Sequence, residues 1–254
     1  MMIPIKTEKE IEIMRQAGQI LSDVIKKIVP YVCRGVSTLE LDQLAEKLIY
    51  QAGAKPGFKG YSDKKKIYPA TLCTSINEHV VHTIPKRNKF LKDGDIISLD
   101  CGVKYKGYYS DMAITVAVGK IPYKTKELIK TTKEALEVAI KNIKEGVYLG
   151  DISHLIQSFV EKKGFSVVRQ LSGHGIGKEL HEKPTILNYG KKGTGPILKS
   201  GMVLAFEPMV NMGDWPVKTL KDGWTIVTED GSLSAHFEHT ILVTKKGAEV
   251  LTKM

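Results

Sequence analysis

LKDGDIISLDCGVKYKGYYSDMAITV, residues 91–116, reads as two strands folded back on each other. Ile96, Ile97 and Leu99 lead into Asp100, while Ala113, Ile114, Thr115 and Val116 follow Asp111. Between them, Lys104, Tyr105, Lys106 and Gly107 form the expected hairpin turn. Folding about that turn sets Asp100 and Asp111 opposite each other on one face. Like charges directly opposed destabilise a sheet. Carboxylates turned into apolar surroundings need a cation or a shared proton. Taken alone, the pair is most simply two solvated hairpin aspartates.

The pattern occurs twice, and that changes the reading. LKDGDIISLD, ending at Asp100, aligns with LKSGMVLAFE, ending at Glu207; SDMAITV around Asp111 aligns with FEHTILV around Glu238. Two strand pairs therefore each supply two carboxylates, with no arginine partner nearby in sequence. Such an oxygen-rich set suits two hard or borderline divalent ions.

The helices repeat in the same order. Ile11, Met14, Ile20, Leu21, Val24, Ile25 and Ile28 keep helical spacing from Thr7 to Ile28, with Thr7 and Glu10 as a capping box and Pro30 as a stop. A second helix is expected over Thr38 to Gln51, closed by Gly53, and a loop from Lys55 to Asp63. Short apolar segments follow at Leu72 to Ile76 and at Val80 and Val81. Two further helices are expected over Lys124 to Ile143 and Asp151 to Lys163. Gly35 and Gly146 open the second helix of each pair, Gly53 and Gly164 close it, and both glycine pairs stand 111 positions apart. The expectation is an α/β (α+β) fold, a curved antiparallel sheet backed by two helix pairs. It is expected to form one domain over residues 1–254, in pseudo-duplicated halves of about 1–120 and 121–254.

Composition excludes several classes. The 254 residues contain no apolar run of membrane-spanning length, and the N-terminus lacks a signal-peptide core. Three cysteines, Cys33, Cys73 and Cys101, show no CxxC spacing and fit a reduced, cytoplasmic protein. The net charge of +10 comes almost wholly from dispersed lysine, so specific nucleic-acid recognition is not expected. Weak, steered attraction to the ribosome is the partner that this charge allows. With no candidate interface stripe, a monomer is expected.

Histidines supply the next layer. Ser172 to Gly177, SGHGIG, places His174 between glycines, with the wrong glycine spacing for a dinucleotide site. A histidine there reaches a metal through a ring nitrogen. His82 in HTIP and His181 in HEKP each precede a proline by three places, a second echo of the duplication.

In that order and spacing, Asp100, Asp111, His174, Glu207 and Glu238 resemble the metal set of the type I methionine aminopeptidases. Around them stand CTSINEHVVHTIP, SGHGIGKELHEKP, FEPM and DGWTIVTEDGSLSAHFEHTILVT, so the resemblance runs from about Glu8 to Val250. It implies the family's pita-bread fold, with pseudo-twofold halves, and removal of the initiator methionine when the second residue is small. It also implies two divalent ions, manganese, iron(II), cobalt or zinc. Asp100 would chelate one, Asp111 and Glu238 would bridge both, and His174 and Glu207 would bind the other. Glu207 would move the proton of the attacking water, His82 would contact the scissile nitrogen and His181 would stabilise the oxyanion. Tyr68, Cys73 and Trp224 match the methionine pocket, with His82 on its rim; Asn77 and Ser234 match a monovalent-cation site. Two positions depart from the bacterial pattern: Leu180 stands where Phe is expected, and Lys65 where Tyr is. A wider pocket wall follows. The chain looks like the short bacterial form, without a zinc-binding N-terminal extension or the type II insertion. Prolidases share the fold but carry a large N-terminal domain, and a non-catalytic relative would have lost ligands.

Overall fold

A computed structural model describes residues 3–63 and 66–254; Lys65 therefore lies outside the described residues. Among the described residues there are four long helices: α1 (Glu8–Ile28), α2 (Thr38–Gln51), α3 (Tyr123–Asn142) and α4 (Leu149–Lys162). Thr7 and Ser37 close capping boxes with Glu10 and Glu40, so the first backbone donors of α1 and α2 are satisfied. The corresponding helices α3 and α4 have Pro122 and Tyr148 at their N-cap positions and no side-chain cap. Pro30 is not a clean stop to α1. The chain tightens into a 3-10 turn over Val29–Tyr31 with Pro30 inside it, where the missing N–H costs nothing.

The helices back a curved antiparallel sheet of nine strands among the described residues. Its centre runs Ile96–Tyr105, Tyr108–Ala117, Glu238–Val243, Val203–Phe206, Ser172–Gly175 and Glu182–Leu187, each hydrogen-bonded to the next. Leu72–Ile76 also pairs with Ile96–Tyr105. At one edge lies the two-residue strand Lys55–Pro56, inside the stretch expected to be only loop. The hairpin of the first strand pair closes as expected, through Lys106 and Gly107 with φ of 47° and 88°. Positive φ at both turn residues matches the right-handed twist of the flanking strands.

Strand alternation divides the sheet into two faces. Leu99, Cys101 and Val103, with Met112, Ile114, Leu204, Phe206, Ile241 and Val243, enter one large apolar cluster shared with all four helices. Their sequence neighbours Asp100, Asp111, Glu207 and Glu238 necessarily point to the other face. Apolar burial on one face thus fixes the register that gathers the acids on the other.

Candidate active site

Register brings the carboxylates together. Asp100 pairs with Ala113, and Ala113 with Glu238, so one row crosses three strands with a small residue between two acids. Asp111 lies two places from Ala113 on the same strand and face, opposite Gly102. Asp100 and Asp111 are therefore diagonal neighbours, not directly opposed as the sequence suggested. The two-residue turn sets this offset, and Gly102 opposite Asp111 leaves room for the Phe58 ring, which a Cβ there would meet at 2.7 Å. Phe206 pairs with His239, so Glu207, one place beyond its strand, continues the row beside Glu238. Thr240 ties the halves together: its Oγ1 accepts from the Asp111 N–H at 2.9 Å and donates to the Asp111 carbonyl at 2.8 Å.

His174 enters from the neighbouring strand. It pairs with Ala205, two places before Glu207, and its Nε2 stands 3.7 Å from Glu207 Oε1. Its Nδ1 lies 2.8 Å from the Gly175 carbonyl, which fixes Nδ1 as the protonated nitrogen and leaves the Nε2 lone pair for the site. The flanking glycines serve close strand approach. A Cβ at Gly175 would stand 2.1 Å from the Lys183 carbonyl oxygen, and one at Gly173 2.3 Å from that of Ala205.

The centre is buried and lacks cations. Among the described residues, the ion pairs of Glu207 and Glu238 are with histidines, and Asp100 and Asp111 have none. Asp100 Oδ1, Asp111 Oδ1 and Glu238 Oε1 have no hydrogen-bond partner. Burial pushes the Asp100 carboxyl up to about 7. Burial, reinforced by the neighbouring carboxylates, drives Asp111, Glu207 and Glu238 well above the ordinary range. A buried acid cluster of this kind is stable only with protons or cations inside it. Burial, then the charge of His181, holds His174 down to about 3, so it is a neutral donor. The donor atoms of Asp111, His174 and Glu238 lie within 4.8 Å of one another, as do those of Glu207, His236 and Glu238. Oxygen-rich donors with imidazole, orphaned and clustered, fit divalent metal.

His236 was not among the residues singled out from sequence. It lies at the end of the Ser234–His236 strand, two places before Glu238 in SAHFEH, and is 1 % exposed. That H-x-E spacing, which sets both side chains on one face of an extended chain, is the signal that could have found it.

Above the acids opens a cleft of about 550 Å³. His82, His181, Tyr68, Cys73, Leu180 and Trp224 line it together with the acids. His82 has φ of 58°, an unfavourable conformation for a side-chain-bearing residue. The His181 ring meets that of His174 edge-on at 4.4 Å, and its Nδ1 lies 2.7 Å from the Tyr61 hydroxyl. Tyr68 and Trp224 meet edge-on at 5.2 Å, and Tyr68 donates its hydroxyl proton to the Leu72 carbonyl at 2.9 Å. Cys73 pairs with Asp100, which places the pocket wall directly beside the acid row. Asn77 and Ser234 are also brought together: the Ser234 N–H donates to the Asn77 carbonyl at 2.8 Å. The Asn77 side chain is taken up by Asp95 and the Ile96 N–H.

Metallopeptidase family M24 matches residues 12–245. The methionine aminopeptidase of Clostridium acetobutylicum is 49% identical over 251 residues, 99% of each chain. Methionine aminopeptidase 1 of Bacillus subtilis is 49% identical over 253 residues, 100% of each. The crystal structure of methionine aminopeptidase from Thermotoga maritima superposes with a TM-score of 0.97 at 49% identity, covering 100% of both chains.

Proposed function

Because the chain belongs to metallopeptidase family M24, within its type I methionine aminopeptidases, we propose that it removes the initiator methionine from nascent proteins whose second residue is small. The observation that carries this reading is the buried row of four acids without cationic side chains, beside His174 and beneath a cleft that also holds His82 and His181.

Asp100 would help to hold one divalent ion, His174 and Glu207 a second, and Asp111 and Glu238 would serve both. Divalent ions held there would supply a water acidic enough to attack near neutral pH. Glu207 takes the proton of the attacking water and passes it to the leaving amine. His82 contacts the scissile amide nitrogen. His181 donates to the developing oxyanion from Nε2; a Tyr61 hydroxyl donating to Nδ1 keeps the proton on Nε2. Tyr68, Cys73 and Trp224 form the methionine pocket, whose soft, apolar lining suits a thioether. Asn77 and Ser234 belong to a monovalent-cation site.

The chain acts in the cytoplasm as a monomer, on polypeptides as they leave the ribosome. Three free cysteines suit a reducing compartment. No helix among the described residues is long and apolar enough to cross a membrane. Its lysine-rich charge favours weak association with the ribosome.

The test strips metal with a chelator, restores manganese, iron(II), cobalt and zinc one at a time, and follows cleavage of a Met-Ala-Ser peptide. Activity is expected to return with at least one ion. No cleavage with any of them overturns the reading.

A further inference from the structure

His236 stands at the acid centre with no part in the reading above. Its backbone is fixed: the N–H donates to Thr115 Oγ1 at 2.8 Å, the carbonyl accepts from the same hydroxyl at 2.9 Å, and the residue pairs with Met209. The ring is sealed from solvent, and neither nitrogen has a hydrogen-bond partner. A buried imidazole with two idle nitrogens costs stability unless something takes its lone pair.

Geometry says what that is. His236 Nε2 lies 3.7 Å from Glu207 Oε2 and 3.8 Å from Glu238 Oε2. Both spacings are too long for hydrogen bonds. Donors held on one ion at about 2.1 Å stand roughly 3.0–3.5 Å apart, within a few tenths of an ångström of these values. His174 Nε2 keeps the same 3.7 Å from the other oxygen of Glu207. Glu207 is thus flanked by two imidazoles, one on each oxygen, each facing it through Nε2.

We propose that His236 is a sixth metal ligand, its Nε2 joining Glu207 and Glu238 on the ion at the Glu207 side. The inference rests on the dinuclear reading above and deepens it. The two ions then differ in kind. The Asp100 side is all oxygen, whereas the Glu207 side carries two imidazole nitrogens. Imidazole favours iron(II), cobalt and zinc, while an all-oxygen set suits manganese. His236 is also the less anchored of the two rings, because His174 Nδ1 is held by the Gly175 carbonyl and His236 Nδ1 has no such acceptor. Ligands lacking that outer contact bind more weakly.

The test uses the full chain loaded with cobalt(II) and reads metal coordination, not turnover. In proton NMR, hyperfine-shifted imidazole resonances from two histidines are expected in the unaltered protein. One set should vanish in His236→Gln and the other in His174→Gln. Calorimetry on the same proteins should show His236→Gln weakening one of two cobalt sites by about tenfold or more, the scale on which even outer contacts act, while manganese at the other site binds unchanged. His236→Asn serves as a second variant, and melting curves of the metal-free forms identify any loss of fold. Shifted resonances from one histidine only, with metal affinities unchanged in a folded His236 variant, overturn the proposal and leave the peptidase reading standing. An unaltered protein that binds no ions overturns both.

Discussion

Asp111 and Glu238 sit on neighbouring strands with Ala113 between one of them and Asp100, so any cation entering the row meets both. If they bridge two ions, Asp111→Asn and Glu238→Gln each cost both ions and abolish turnover, whereas Asp100→Asn weakens chiefly one. Calorimetric stoichiometry checks this, and equal losses in all three variants would contradict the bridging assignment. The histidines of the cleft should behave differently. His82→Ala and His181→Ala are expected to keep full metal content while kcat falls by roughly a hundredfold or more, as on removing a transition-state donor. Tyr61→Phe should lower kcat less than His181→Ala does, because the ring stays and only its tautomer is freed. A metal-free His181→Ala protein would make that histidine a ligand instead. The residues were legible as types in recurring settings, because histidine three places before proline and acid at a strand end are local patterns, whereas the roles given to them rest on the family resemblance. His236 was not legible in that way. Its meaning depends on Glu207, which the chain brings to it from 29 positions upstream.

The same contrast holds for whole elements. Helix bounds could be read closely, since α2 spans the expected Thr38–Gln51 and the Thr7–Glu10 capping box of α1 joins residues only three apart. The repeated acid strands could be read too, because an apolar alternation on one face leaves the acids only the other. Register was less accessible: the diagonal of Asp100 and Asp111 follows from which turn residues take positive φ, and a shift of two places keeps both on the same face. Glycine makes the point testable. Gly175 lies in a strand sandwiched between two others, where a Cβ would strike the Lys183 carbonyl oxygen at 2.1 Å. Gly18 lies in α1, where a Cβ would strike that of Leu251 at 2.2 Å. Both obstacles are backbone and yield only if an element moves. Gly175→Ala and Gly18→Ala should each destabilise the protein, by about 1–3 kcal/mol. Only Gly175→Ala should also weaken metal binding, because the displaced strand carries His174. Denaturant melts paired with metal titrations check the distinction, and equal metal affinity in both variants would detach the strand's position from the site.

At the scale of the whole molecule, substrate choice would follow, on the proposed activity, from how two of the apolar clusters meet the acid row. The larger cluster holds the sheet against the helices, while the smaller one, including Phe58, Tyr68, Cys73 and Leu180, forms the floor and wall of the cleft. On the proposed reading, methionine would enter that side and the second residue would pass among His82, His181 and Glu207, which line the same cleft. Met-Gly, Met-Ala and Met-Ser termini are therefore expected to be cleaved, and Met-Lys and Met-Leu to be poor. Leu180 is 3 % exposed and packed in the cleft wall, so replacing the expected phenyl ring with a branched chain removes flat surface from one side of the pocket. Losing part of one apolar contact is worth about 1–3 kcal/mol of discrimination, which leaves methionine ahead of alanine but admits leucine and norleucine more readily. Leu180→Phe should restore the flat wall and raise the preference for methionine over leucine. Measuring kcat/KM for Met-Ala-Ser, Leu-Ala-Ser and Met-Lys-Ser in both forms separates the two arguments. Equal cleavage of Met-Lys-Ser and Met-Ala-Ser would defeat the crowding at the second residue. An unchanged leucine-to-methionine ratio in Leu180→Phe would mean that Tyr68, Cys73 and Trp224 set the selectivity without that wall.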